Sequence, residues 1–209
     1  MYDLEEQEQI DALKAWWKEN GRLVIVVAIA ACLAAGATAG WRWYHRTQAE
    51  QAGQIYSSLE KAVRANDLKQ VREFSRQLME KYGSSVYGPM AALVAAKANY
   101  EAGDASSAQT ELQWAVDNAR DDDLEATARL RLAGMLLDQK KYEDALKLLE
   151  AKHPDSFDGL FADLTGDIQA AQGKPGAAKI AYQHALEKLP GGNYRDIVQV
   201  KLDALGGKP

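Results

Sequence analysis

Residues Leu164–Pro190 read LTGDIQAAQGKPGAAKIAYQHALEKLP. Apolar and small side chains recur at three- and four-residue spacing on either side of Gly173-Lys174, which predicts two helices joined by a tight turn. Gly166 and Ala178 are small where two antiparallel helices would come close. Tyr182 is large enough to fill the space behind them, Ala185 and Leu186 continue that face, and Pro190 stops the second helix. One such hairpin cannot bury its own apolar face, so it predicts neighbours of the same kind.

Those neighbours lie upstream. Beyond residue 41 there are no β-branched runs, and breaks fall at Gly83, Gly88-Pro89, Gly103-Asp104, His153-Pro154, Gly173-Lys174 and Pro190-Gly191-Gly192. Leu132, Ala133, Lys140-Lys141-Tyr142, Ala145 and Leu149 form one further copy, and Ala96, Gly103-Asp104, Ala108, Leu112 and Ala115 the one before it. Asn66-Asp67, Val71 and Leu78 form a degenerate first copy. The equivalent residues Val71, Ala108, Ala145 and Ala178 are 37, 37 and 33 apart, near the period of about 34 of tetratricopeptide repeats. The expected fold is all-α, a tetratricopeptide-repeat-like solenoid of about four helix pairs with a final capping helix near Arg195 to Leu205.

The N-terminal part is of another kind. From Leu23 through Gly40 there is no charged residue, and Arg22 and Arg42 bracket the run. With Trp41 it is 19 residues long, roughly 28 Å as a helix and close to one bilayer core. Four of the five tryptophans, Trp16, Trp17, Trp41 and Trp43, flank it together with Tyr44, as suits rings at the headgroup level. Ile10, Leu13, Trp16 and Trp17 share one helical stripe, with Lys14, Lys18 and Glu19 on other faces, so this segment is expected to lie along membrane lipid. The expected division is residues 1–22 as an amphipathic segment, 23–41 as a transmembrane helix and 42–209 as the repeat domain. Gly36 and Gly40 form a small-xxx-small face, a candidate contact for another membrane helix.

Ala37-Thr38-Ala39 fits a signal-peptidase site, and Ile29-Ala30-Ala31-Cys32 loosely fits a lipoprotein cleavage box. Residues 1–22 hold six acids against three bases, the reverse of a short basic leader, so an uncleaved anchor is expected. Basic residues near the span number three on each side (Lys14, Lys18, Arg22 and Arg42, Arg46, Lys61), so charge leaves the orientation open.

Composition narrows the chemistry. The 209 residues carry 30 acids and 25 bases, a net charge of −5, and without a basic patch this argues against nucleic-acid binding. A single cysteine excludes an intramolecular disulfide and a Cys-rich zinc module. His45 lies at the membrane boundary, His153 precedes Pro154, and His184 sits between Gln183 and Ala185; none has a further ligand at metal spacing. Asp121-Asp122-Asp123-x-Glu125 reads as a solvated helix N-terminus. Asp155, Asp158, Asp163 and Asp167 have no nucleophile, oxyanion motif or phosphate loop nearby. No enzyme activity, cofactor, metal or small-molecule substrate is expected.

The order and spacing of several segments resemble one known family. These are Ala12-Leu13-Lys14-x-Trp16-Trp17-x-Glu19-Asn20-Gly21, Gly40-Trp41-Arg42-Trp43-Tyr44, Tyr87-Gly88-x-x-Ala91-Ala92-Leu93, Leu130-Arg131-Leu132-Ala133, and Asp163-Leu164-x-Gly166-Asp167 with its Gly173-Lys174 turn. Together they resemble the YfgM family of single-anchor bacterial inner-membrane proteins. The resemblance implies a cytoplasmic N-terminus, a periplasmic repeat domain, association with the SecYEG translocon and a PpiD-like chaperone, and contact with translocating polypeptides. It offers no catalytic residues to carry over. The usual groove positions of the repeat fall on Tyr56, Glu60, Lys97, Tyr100, Glu101, Asp163 and Asp167, a mixture suited to polypeptide. A cleaved tetratricopeptide lipoprotein acting in outer-membrane assembly is the alternative binding module; a hydrolytic or metal enzyme would need a cluster of titratable groups in a pocket.

Overall fold

The computed structural model describes residues 2–206, with side chains described for 9–11, 13–43 and 46–206; the readings on Tyr44 and the His45 ring lie outside these. Its elements are α1 (Tyr2–Arg64), α2 (Leu68–Tyr82), α3 (Tyr87–Glu101), α4 (Ala105–Asn118), α5 (Asp122–Asp138), α6 (Tyr142–Leu149), a 3-10 turn (Asp155–Phe157), α7 (Asp158–Ala171), α8 (Pro175–Lys188) and α9 (Asn193–Ala204). No strand occurs among the described residues. The chain divides into two compact units at Glu50/Gln51, and α1 contributes to both.

The first unit is helical. Within α1, Leu23, Ile25, Val26, Val27, Ile29 and Leu33 are all exposed, as are Trp16, Trp17, Trp41 and Trp43. Among the described residues α1 is the one helix long and apolar enough to cross a membrane.

The second unit is the expected solenoid. The C-terminal part of α1 packs on α2, with Leu59 and Ala62 in one core with Val71 and Leu78; α3 pairs with α4, α5 with α6 and α7 with α8, and α9 closes the stack. All four hairpin turns are built alike. Asn66, Gly103, Lys140 and Gly173 take left-handed backbone conformations, with φ of 52°, 84°, 60° and 72°. Each donates its N–H three residues back, to Val63, Tyr100, Leu137 and Ala170. The following residues (Asp67, Asp104, Lys141 and Lys174) donate five back, to Ala62, Asn99, Leu136 and Gln169. This is the Schellman closure, which satisfies carbonyls that a helix end leaves orphaned. Asp67 and Asp104 then cap the next helix by accepting from the Gln70 and Ser107 N–H groups. Where Lys174 stands in that place, Pro175 opens the helix and needs no donor partner.

The register follows from the turns. Val71, Ala108, Ala145 and Ala178 are each the fourth residue of their helix, and all four are buried. Seven residues before each turn stand Leu59, Ala96, Ala133 and Gly166, and nine after it Ser75, Leu112, Leu149 and Tyr182; every one is buried. A Cβ on Gly166 would overlap the Tyr182 ring, so the ring itself takes the space that glycine leaves. In the first pair the sizes are exchanged, with a large Leu59 matched by a small Ser75. Gly88-Pro89 proves to be the first turn of α3 rather than a break, a position that tolerates proline. The acidic run is as read: Asp121 caps α5 through the Leu124 N–H, with Asp122 and Asp123 exposed in its first turn.

Candidate functional site

A cleft of about 430 Å³ lies between α3 and α5, the first helices of the second and third pairs. Ala96, Leu112 and Met135 form an apolar floor, and Lys97, Tyr100, Arg131 and Asp138 stand around it. The face results from helical spacing: Lys97 and Tyr100 are three apart on α3, Arg131 and Asp138 seven apart on α5. Tyr100 is 48% exposed, and its hydroxyl donates to Asp138 Oδ2 at 3.0 Å, joining the two helices. That hydrogen bond, with the carboxylate charge behind it, pushes the Tyr100 phenol pKa up. Lys97 Nζ lies 3.8 Å from Glu101 Oε1. Arg131 Nη1 donates to the Leu93 carbonyl at 3.4 Å. The arrangement offers apolar area and oriented charge, the two ingredients of polypeptide recognition.

The remaining residues carried over from the repeat pattern lie elsewhere. Tyr56 is half-buried against Tyr87, ring centroids 5.5 Å apart, and Glu60 faces Arg64 across 3.8 Å on an exposed surface. Asp163 is only 3% exposed. Its carboxylate accepts from Lys201 Nζ at 2.8 and 3.0 Å and from the Tyr194 hydroxyl at 2.6 Å. Asp167 accepts from Lys201 and from the Tyr182 hydroxyl, both at 2.8 Å. These two carboxylates thus bind the capping helix α9 to α7 and α8. Burial resists charge on Lys201, but its hydrogen bonds to both aspartates outweigh this and raise its pKa. Burial, followed by the carboxylate contacts, likewise raises the Tyr182 and Tyr194 pKa values. Gly36 and Gly40 sit on the exposed helix, where a Cβ on either would meet nothing within 4 Å.

Of the expected groove residues, Lys97 and Tyr100 line this cleft; Arg131, Met135 and Asp138, which also line it, were not among them. The available signal was the pair of opposite charges, Arg131 and Asp138, that brackets the uncharged run 132–137. A second polar set joins the first two pairs: Arg72 donates to Asn99 at 2.6 Å and to Asp104 at 2.9 Å, and Asn99 donates to both Glu111 oxygens at 2.8 Å. Burial raises the Glu111 pKa. Among the described residues no group of three or more His, Cys, Asp or Glu is placed to hold a metal.

Four Schellman-closed hairpins in register, ended by a capping helix, make this a tetratricopeptide repeat-like protein. The family profile described as "Tetratricopeptide repeat-like domain" matches residues 14–207. A solved structure, "MamA RS-1 ArsTM double mutant", shares the fold at a TM-score of 0.52 and 20% identity, over 74% of this chain and 88% of that one. Relatives from several bacteria carry the name "Ancillary SecYEG translocon subunit". The protein from Haemophilus influenzae is 33% identical over 88% of this chain and 90% of its own. That from Neisseria gonorrhoeae is 33% identical over 97% and 98%, and that from Escherichia coli 26% identical over 96% of each. The chain belongs to this family of ancillary SecYEG translocon subunits, the YfgM family.

Proposed function

We propose that the protein is a non-enzymatic interaction scaffold held in the bacterial inner membrane by residues 23–41. Residues 1–22 are cytoplasmic and the repeat domain is periplasmic. It serves as an ancillary subunit of the SecYEG translocon and works with a PpiD-like chaperone on polypeptides leaving the channel, which the α3–α5 cleft holds by surface contact. The reading is carried by likeness over nearly the whole chain to relatives bearing that name. The uncharged, exposed run in α1 supports the anchor.

Site-specific photocrosslinking in intact membranes tests it. A crosslinker at Tyr100 is expected to capture translocating polypeptide or chaperone, and one placed next to Gly36 and Gly40 to capture a translocon subunit. Capture at neither position, at native protein level, refutes the scaffold. Protease added to spheroplasts is expected to degrade the repeat domain and spare residues 1–22; a fully protected domain reverses the orientation.

A further inference from the structure

We infer that the α3–α5 cleft selects polypeptide segments in which an apolar side chain lies close to a carboxylate, and disfavours those carrying lysine or arginine there. The inference rests on the reading that this cleft holds polypeptide. Its basis is the polarity of the site. At about 430 Å³, the cleft is near the small end of ligand-sized cavities, so it takes a side chain or two rather than a folded partner. Leu112 and Met135 are buried and define an apolar seat.

The charges around that seat are unequally committed. Asp138 accepts the Tyr100 hydroxyl at 3.0 Å, which orients its carboxylate but leaves its charge, so the lining holds two cations against one anion. Among the described residues Arg131 holds no carboxylate; neither do Arg120 and Arg195 elsewhere in the repeat domain, but of the three only Arg131 lines the cleft. Arg72, Arg76 and Arg129 each hold a carboxylate within 2.9 Å, whereas the hydrogen bond described for Arg131 goes to a backbone carbonyl at 3.4 Å, near the limit of such a bond. Among the described residues no ion pair to Arg131 occurs within 4.0 Å, and Lys97, the other cation of the cleft, has Glu101 only at 3.8 Å. A guanidinium presents several donors in a planar fork that fits a carboxylate. An incoming acid therefore completes Arg131, while an incoming base meets two cations against a single carboxylate. A lining with one cation in excess on a chain of net charge −5 is a local feature and not a reflection of bulk charge.

The test uses the purified full chain in nanodiscs and three fluorescent twelve-residue peptides on a Gly/Ser background. They carry Leu-x-x-Glu, Leu-x-x-Gln or Leu-x-x-Lys, and binding is read by anisotropy at low salt. The Glu peptide is expected to bind about fivefold tighter than the Gln peptide, the scale of a partly exposed ion pair, and the Lys peptide weaker than both. Arg131→Gln is expected to remove the Glu preference while leaving the Gln peptide unchanged. Arg131→Lys should retain part of it, and far-UV circular dichroism should show both variants folded. Equal binding of Glu and Gln peptides to the parent, or an equal loss of both in Arg131→Gln, overturns the charge selectivity while leaving the cleft a polypeptide site. No binding of any peptide, or binding indifferent to Tyr100→Ala, removes the cleft reading and the inference with it.

Discussion

Gly166→Ala is the most direct test of how the last hairpin is packed. The new Cβ would overlap the ring of Tyr182. That ring cannot easily retreat, because it is buried and its hydroxyl is held by Asp167 at 2.8 Å. Overpacking a tight contact costs about 1–3 kcal/mol, and a ring fixed at both ends belongs in the upper half of that range. Alanine's advantage over glycine inside a helix returns about 0.5–1 kcal/mol, leaving a net loss of about 1–2.5 kcal/mol. With a urea dependence of about 2 kcal/mol per molar, the midpoint should fall by about 0.5–1.3 M. Gly134→Ala is the matched control. Gly134 also lies inside a helix, α5, but its Cβ would meet nothing within 4 Å. Only the helix advantage remains, so that variant should be stabilised by about 0.5–1 kcal/mol. Both are read by urea titration of the full chain in detergent, followed by circular dichroism. A Gly166→Ala midpoint at or above the parent's refutes the ring-on-glycine contact; a lowered Gly134→Ala midpoint refutes the open space at α5.

Ala178→Leu, at a fully buried position, should cost about 1–3 kcal/mol, and an unchanged denaturation midpoint would mean the register is wrong. Ser75→Ala should stabilise by about 1 kcal/mol, because the Ser75 hydroxyl is buried with no hydrogen-bond partner; a lowered midpoint contradicts this. The α9 seat should weaken in alkali. Lys201, Tyr182 and Tyr194 all have pKa values raised by folding, so their contribution is complete below the free values near pH 10 and is lost as pH rises through the folded ones. Tyr194→Phe should flatten the loss above about pH 10, measured by hydrogen exchange in α9, and a parent that keeps full protection at pH 11 refutes it.

The turns differ in how legible they are from sequence. Gly103 and Gly173 announce a left-handed residue because glycine alone takes it without strain, and the break at each is read directly. Lys140 takes the same conformation in a Lys-Lys stretch that carries no turn signal. Only its distance from its counterparts gives it away. Pairing within a hairpin was legible because it depends on residues near in sequence, such as Gly166 and Tyr182. The cleft was half legible. Which side of α5 meets α3 depends on how two helices about thirty residues apart stack, and no local pattern encodes that angle. The same limit applies to Asp163 and Asp167. Repeat logic assigns them a groove position but carries no knowledge of the lysine and tyrosine that α9 brings to them.

The identical closure of all four hairpins has a consequence for how genes of this kind change length. Losing one residue within α3 or α5 rotates the following side chains by about 100° and moves buried positions to the surface. Losing the 37 residues from one turn to the next removes a whole hairpin and brings together faces already matched in kind. Length variation among descendants should therefore come either as entire hairpins or as a few residues in the links between pairs. The stretch between α6 and α7, with its separate 3-10 turn at Asp155–Phe157, is the longest of these links and the place where insertions should accumulate. The four turns should keep their length even where their residues drift, as the exchange of glycine for Asn66 and Lys140 within this one chain already illustrates.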